Sequence, residues 1–166
     1  MKPVHLALAA AITVAVGASG YIVATQKPRM PSVEYVLLNG QKMATPAWEG
    51  QVSLVLFWAT DCASCVKEMP EVVQTYQQYK AQGLNMLAVA MSHDAPAHVA
   101  AFTESRQLPF PVAIDHDGQI AKKFGDVRLT PYTVLVNRRG EIVKRYLGPI
   151  KFDELHQDLQ HWLKAA

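Results

Sequence analysis

Cysteine is scarce in this sequence: 166 residues hold two. That is too few for a disulfide-stapled scaffold or a four-cysteine zinc site. Charge is thin as well, at 18% of residues against 50% hydrophobic, a balance that excludes wholesale disorder. Acid is missing altogether from residues 1–30, where Lys2, Lys27 and Arg29 are the charged side chains. The other 13 basic side chains face 14 acids, so the body carries −1 although the whole chain carries +2. A body so near neutrality has no bulk field for a polyphosphate backbone, and nucleic acid falls away as a partner. There is no internal repeat, and the length fits one ordinary domain with a short appendage.

Charge is absent again from Val4 to Ala24, 21 residues with neither acid, lysine nor arginine. At 1.5 Å per helical residue that run reaches roughly 30 Å, the thickness of a bilayer core. Lys2 precedes it and favours a cytoplasmic N-terminus. Residues 1–25 therefore read as a signal-anchor; the alternative is a signal peptide cut after Val16-Gly17-Ala18. The apolar run continues past that cut through Tyr21, Ile22 and Val23, which favours the anchor. Either reading places the body outside the cytoplasm, at the periplasmic face of the inner membrane or free in the periplasm, where disulfide chemistry is routine. Residues 26–32, with Pro28 and Pro31 and no periodicity, read as a linker, and residues 33–166 as the domain.

Within the domain, Val33 to Leu38, Asn39-Gly40 and Gln41 to Ala44 read as a β-hairpin. Val52 to Trp58, Met86 to Met91 and Thr133 to Val136 are nearly continuous apolar runs, as strands covered on both faces require. Helical spacing is predicted over Cys62 to about Lys80, stopped at Gly83, and over Ala95 to about Arg106. The Asn137-Arg138-Arg139-Gly140 turn leads to an antiparallel strand at Ile142 to Tyr146, and Phe152 to Leu163 closes the chain as a helix. Buried strands alternating with helices predict an α/β fold, a sheet layered on both sides.

Both cysteines lie in Cys62-Ala63-Ser64-Cys65, directly after the first buried strand and at the start of the first long helix. A CxxC pair at a helix N-terminus can close a small disulfide ring. The first thiol meets unpaired N–H groups and the positive end of the helix dipole, which lower its pKa and supply thiolate. The second sits one turn inside. Cys62 is thus the predicted attacker of a substrate disulfide, and Cys65 the thiol that expels the reduced product. The six histidines, at 5, 93, 98, 116, 156 and 161, are scattered and read as surface or capping residues, with no metal site and no cofactor.

Phe57-Trp58-Ala59-Thr60-Asp61-Cys62-Ala63-Ser64-Cys65, followed by Glu68-Met69-Pro70, resembles the TlpA/ResA family of exported thiol–disulfide oxidoreductases. The likeness extends over about residues 31–165 and includes Leu129-Thr130-Pro131-Tyr132-Thr133 and the helical insert Ala95 to Phe124. It implies a thioredoxin-like fold: a central mixed sheet flanked by helices, with an N-terminal β-hairpin and that insert. It implies a cis Thr130-Pro131 bond, a substrate-binding surface of Trp58, Asp61, Thr130 and Pro131, and a Pro70 kink in the first helix. It also implies reduction of disulfides in exported proteins, apocytochrome c among them, with recharging by a membrane thiol-electron conduit.

Glu68 stands three residues after Cys65, where ResA-like proteins place an acid beneath the pair. One helical turn returns it to the same face; burial there raises its pKa and lets it exchange a proton with the resolving thiol. Glu71 reads as surface. Two departures from the family matter. Asp61 replaces a tryptophan common in relatives, and its carboxylate either opposes thiolate formation or caps the helix. Ala63-Ser64 lacks the proline that many relatives carry before the second cysteine. The rivals are a thiol peroxidase, which would use Thr60 two residues before Cys62, a copper-binding module, and a redox-inert partner-binding scaffold. The dithiol pair and Trp58 favour disulfide exchange over the peroxidase, and the CxxC spacing argues against the copper module, whose kind typically uses CxxxC.

Overall fold

The structure, a computed structural model, describes residues 27–165. The apolar run at 4–24, and with it the signal-anchor reading, lies outside the described residues. No described helix is long and apolar enough to cross a membrane.

Strands β1 (Glu34–Val36) and β2 (Lys42–Ala44) form a small antiparallel ribbon, followed by a 3-10 turn at Thr45–Trp48. Then come β3 (Val52–Trp58), α1 (Ala63–Tyr79), β4 (Leu84–Ala90), α2 (Pro96–Ser105), β5 (Val112–Ile114), α3 (Gln119–Lys123), β6 (Tyr132–Val136), β7 (Ile142–Leu147) and α4 (Phe152–Lys164). The five-stranded sheet runs β5-β4-β3-β6-β7. β3, β4 and β5 are parallel, while β6 is antiparallel to β3 and β7 to β6.

Strand alternation decides which layer each side chain joins. Val52, Leu54, Leu56 and Trp58 of β3 point to one face, with Met86 and Ala88 of β4 and Leu135 of β6. There they meet Met69, Val72 and Tyr79 of α1 and Leu155, Leu159 and Leu163 of α4. Val55 and Phe57 point the other way, with Leu87, Val89, Val134 and Val136, onto Ile120, Ala121 and Phe124 and onto Tyr35 and Trp48. Both faces are covered, so the central strands need no polar positions and read as unbroken apolar runs. Helix α1 buries Cys65, Glu68, Met69, Val72, Thr75 and Tyr79, the three-to-four-residue spacing of one helical face. A 3-10 turn at Lys80–Gln82 then leads to Gly83 at φ +95°, the left-handed stop that glycine accepts most readily.

Three features differ from the sequence reading. The hairpin does not turn on Asn39-Gly40 as a two-residue loop: Val36 pairs with Lys42, and five residues connect the strands. Leu37 and Leu38 bend instead toward β5, where Leu37 bridges Ala113 and the Leu38 N–H donates to the Val112 carbonyl at 3.1 Å. Second, the insert expected to be helical contains β5. Its three residues follow Pro109 and Pro111 and are too few to show a period, so only their pairing with Ala88 to Ala90 reveals the strand. Within that insert Asp115 is buried after β5, accepting from the Ile120 and Ala121 N–H groups at 2.9 and 2.8 Å and so anchoring the start of α3. Third, at the far edge, residues 28–30, within the stretch read as a linker, bond to Gly140 and Ile142 and line the β7 side. Both sheet edges are thereby partly covered.

Candidate active site

Sheet register gathers the site at one end. Trp58, the last residue of β3, pairs with Ala90 at the end of β4, and Phe57 pairs with Tyr132 at the start of β6. Tyr132 in turn pairs with Leu147, the last residue of β7. The segment carrying Cys62, the loop after β4, the Thr130-Pro131 segment and residues 148–150 therefore leave the sheet at the same end, beyond the carboxyl ends of β3 and β4. Crevices of α/β proteins form there.

Cys62 is the N-cap of α1, with extended backbone (φ −83°, ψ 98°). Its N–H donates to the Ala59 carbonyl at 3.2 Å, and its carbonyl accepts the first helical bond from Val66 at 3.0 Å. Its Sγ accepts from the Cys65 N–H at 3.3 Å and lies 3.4 Å from Ser64 Oγ. Cys62 and Cys65 are joined as a disulfide, with Cα atoms 5.3 Å apart. Cys62 is half-buried, whereas Cys65 is 1% exposed. Of the two residues of the disulfide, Cys62 is therefore the one that meets solvent. The helix N-terminus then stabilises its thiolate by the dipole and by a donor already aimed at the sulfur.

Asp61 does not cap the helix, because Cys62 occupies that position. Its side chain is 73% exposed, with Oδ1 3.6 Å from His93 Nε2. Of the two consequences expected for Asp61, capping is lost and the exposed negative charge beside the nucleophile remains. Trp58 also departs from expectation. It is 0% exposed, packed in the core with its ring 5.1 Å from that of Phe102, so it supports the loop from beneath and presents no surface to substrate. The Thr130-Pro131 bond is cis, the form the resemblance implies. Thr130 is half-buried, and the Pro131 carbonyl accepts from Gly148 N–H at 2.9 Å. Beside that segment, Leu129 and Leu147 are exposed. Pro70 lies in the interior of α1.

Glu68 is buried at 9% exposure, one turn below Cys65. Its Oε2 accepts from the Ile150 N–H at 3.0 Å, and Oε1 is buried with no partner among the described residues. Burial pushes its carboxyl above the ordinary glutamate range; the Ile150 bond opposes this and the charge of Glu71 adds to it. A carboxyl whose pKa is raised by burial, one turn below Cys65, is equipped to exchange a proton with the resolving thiol. Glu68→Gln is expected to displace the pH titration of the reduced thiol pair toward lower pH, since it removes an anion that opposes the thiolate. The folded pKa is raised, so Glu68 favours the fold fully below its unfolded pKa and loses that contribution as pH rises through the folded value. Urea midpoints of the Gln variant should lack this decline. An unchanged thiol titration removes the proton role.

Sequence reasoning missed two neighbours of the pair. Asp94, 6% exposed, accepts from both the N–H and the hydroxyl of Thr60, and His93 stands beside Asp61. Neither has a motif; both reach the site only because β3 and β4 are adjacent. His156, read as surface or capping, is half-buried between α1 and α4, with Nε2 3.0 Å from Thr75 Oγ1. Among the described residues, no group of three or more His, Cys, Asp or Glu is placed to hold a metal ion.

A two-sided sheet carrying a helix-capping CxxC disulfide beside a cis-proline segment defines a thioredoxin-fold thiol–disulfide oxidoreductase. The chain belongs to the Redoxin family, whose model matches residues 24–159. It is similar to "Thiol-disulfide oxidoreductase ResA" of Halalkalibacterium halodurans, 34% identical over 70% of this chain and 66% of that protein. The ResA protein of Bacillus thuringiensis is 32% identical over 76% of this chain and 70% of the relative. The chain thus spans about two thirds of the length of these relatives. In fold it matches the crystal structure of a thiol:disulfide interchange protein of the thioredoxin family from Chlorobium tepidum. The TM-score is 0.76, at 18% identity, over 84% of this chain and 98% of that one.

Proposed function

We propose that this oxidoreductase works as a reductant of disulfides in exported proteins, held at the periplasmic face of the inner membrane by residues 1–25. The observation that carries the direction of electron flow is the exposed Asp61 carboxylate directly before the nucleophile. A negative charge there disfavours the thiolate of the reduced form more than it affects the neutral disulfide. The dithiol is then the less comfortable state and gives its electrons away more readily. Buried Glu68, one turn below Cys65, serves the exchange by taking the proton of the Cys65 thiol as that sulfur attacks Cys62 Sγ and the substrate thiolate leaves. Cysteines of apocytochrome c fit as substrates through the resemblance to the TlpA/ResA family, with a membrane thiol-electron conduit returning the electrons. The uninterrupted uncharged run at 4–24, preceded by Lys2, supports the anchored location.

Equilibration of the purified protein with a glutathione redox buffer tests the direction. A potential below about −250 mV is expected, whereas a value near about −120 mV would make it an oxidant. Asp61→Asn should raise the potential, because it removes the charge that destabilises the thiolate.

A further inference from the structure

Two buried acids stand near the cysteine pair, and disulfide exchange as described uses only Glu68. The other, Asp94, lies in the loop after β4, and both of its carboxylate oxygens are spent on one residue: Oδ2 accepts from the Thr60 N–H and Oδ1 from the Thr60 hydroxyl, each at 2.6 Å. Thr60 is an inner residue of the turn that Cys62 N–H closes on the Ala59 carbonyl. The two segments are joined once more where Met91 N–H donates to the Trp58 carbonyl at 3.0 Å, and Asp94 is tied to that point within its own loop by its N–H to the Met91 carbonyl at 3.0 Å. A carboxylate at 6% exposure is costly to bury unless its oxygens are bonded. Here both are, by charge-assisted bonds of roughly twice the strength of neutral ones.

A turn of four residues needs no such clamp in order to close. What the clamp fixes is the path of the chain into Cys62, and hence the extended backbone that lets Cys62 Sγ face the Cys65 N–H. We infer that Asp94 is a positioning residue for the nucleophile: by gripping Thr60 it holds the Cys62 sulfur at the helix N-terminus, where its thiolate is stabilised. Loss of the grip lets the turn relax, the sulfur leave its donor and the thiolate lose stabilisation. This rests on Cys62 being the attacking thiol.

The test is the pH profile of iodoacetamide alkylation of the reduced full-length protein, with the modified cysteine located by peptide mass. Asp94→Ala should move the Cys62 profile to higher pH and slow alkylation at neutral pH by about tenfold, the change in thiolate fraction for one unit of thiol pKa. Asp94→Asn can still accept from the Thr60 N–H and donate to its hydroxyl, so its profile should not move upward. A merely structural Asp94 would lower the urea midpoint in both variants without an upward displacement of the profile. The inference is overturned if Asp94→Ala keeps the parent profile, or if Asn displaces it upward as far as Ala does. Should Asp94→Ala fail to fold, Thr60→Val decides: it deletes one of the two bonds, and an upward displacement supports the clamp while the parent profile overturns it. Labelling that falls on Cys65 instead of Cys62 marks failure of the attacker assignment rather than of the clamp.

Discussion

Cys65→Ala is expected to accumulate mixed disulfides with substrate, while Cys62→Ala forms none and loses exchange activity down to the uncatalysed rate. The asymmetry follows from where the two sulfurs sit. Cys62 Sγ is half-buried at the helix mouth with a backbone donor at 3.3 Å, and Cys65 is enclosed at 1% exposure. An ordinary thiol of pKa near 8.5 is only about 3% thiolate at neutral pH, and helix N-termini raise that fraction by lowering the pKa. Removing Cys62 therefore removes the more exposed sulfur, the one that the helix N-terminus faces. Removing Cys65 spares the attack but deletes the group that releases product, and the intermediate persists. Non-reducing gels of extracts from cells carrying each variant read the outcome directly. Equal trapping by both variants would sink the assignment of roles.

Trp58→Ala should cost about 3–5 kcal/mol of folding stability, the range for deleting a large aromatic from a core. The ring is 0% exposed and packs in one cluster with Cys65, Met69 and Val99, with Phe102 against it. Trp58→Phe should cost far less, about 1 kcal/mol. It keeps most of the apolar contact, and the Nε1–H it deletes is buried with no partner among the described residues, so no hydrogen bond is broken. Exchange rates measured well below each variant's unfolding midpoint should stay near the parent value for Phe. A large loss of exchange at full stability in Trp58→Phe would return Trp58 to the substrate-binding surface from which its burial removes it. Urea unfolding and an insulin-disulfide reduction assay on the same samples separate the two readings.

Local chemistry made much of this protein legible. The seven residues from Val52 to Trp58 are apolar at every position but Ser53, and such a run has few uses other than a strand covered on both sides. The cysteine spacing, at the junction of that strand with a helix, told where the redox centre lies, since a helix N-terminus acts on whatever residue occupies it. The three-residue step from Cys65 to Glu68 put the acid on the same helical face, and the structure buries it there.

Other features depend on partners far away along the chain. Glu68 finds Ile150 across 82 residues and Thr60 finds Asp94 across 34, and neither contact leaves a periodic trace. β5 is a strand only because β4 lies beside it, and residues 37–38 continue the pairing on its outer side.

By itself, the sequence determined the central strands and the long helices, the thiol pair at a helix start and the acid beneath it, because periodicity, helix polarity and a single turn's rise act within a few residues. Tertiary structure alone decided that Trp58 is sealed in the core, that Asp61 points to solvent beside His93, and that Asp94 grips the turn before the nucleophile. Those outcomes hang on sheet register, which emerges from the packing of both layers at once and is written in no short stretch of chain.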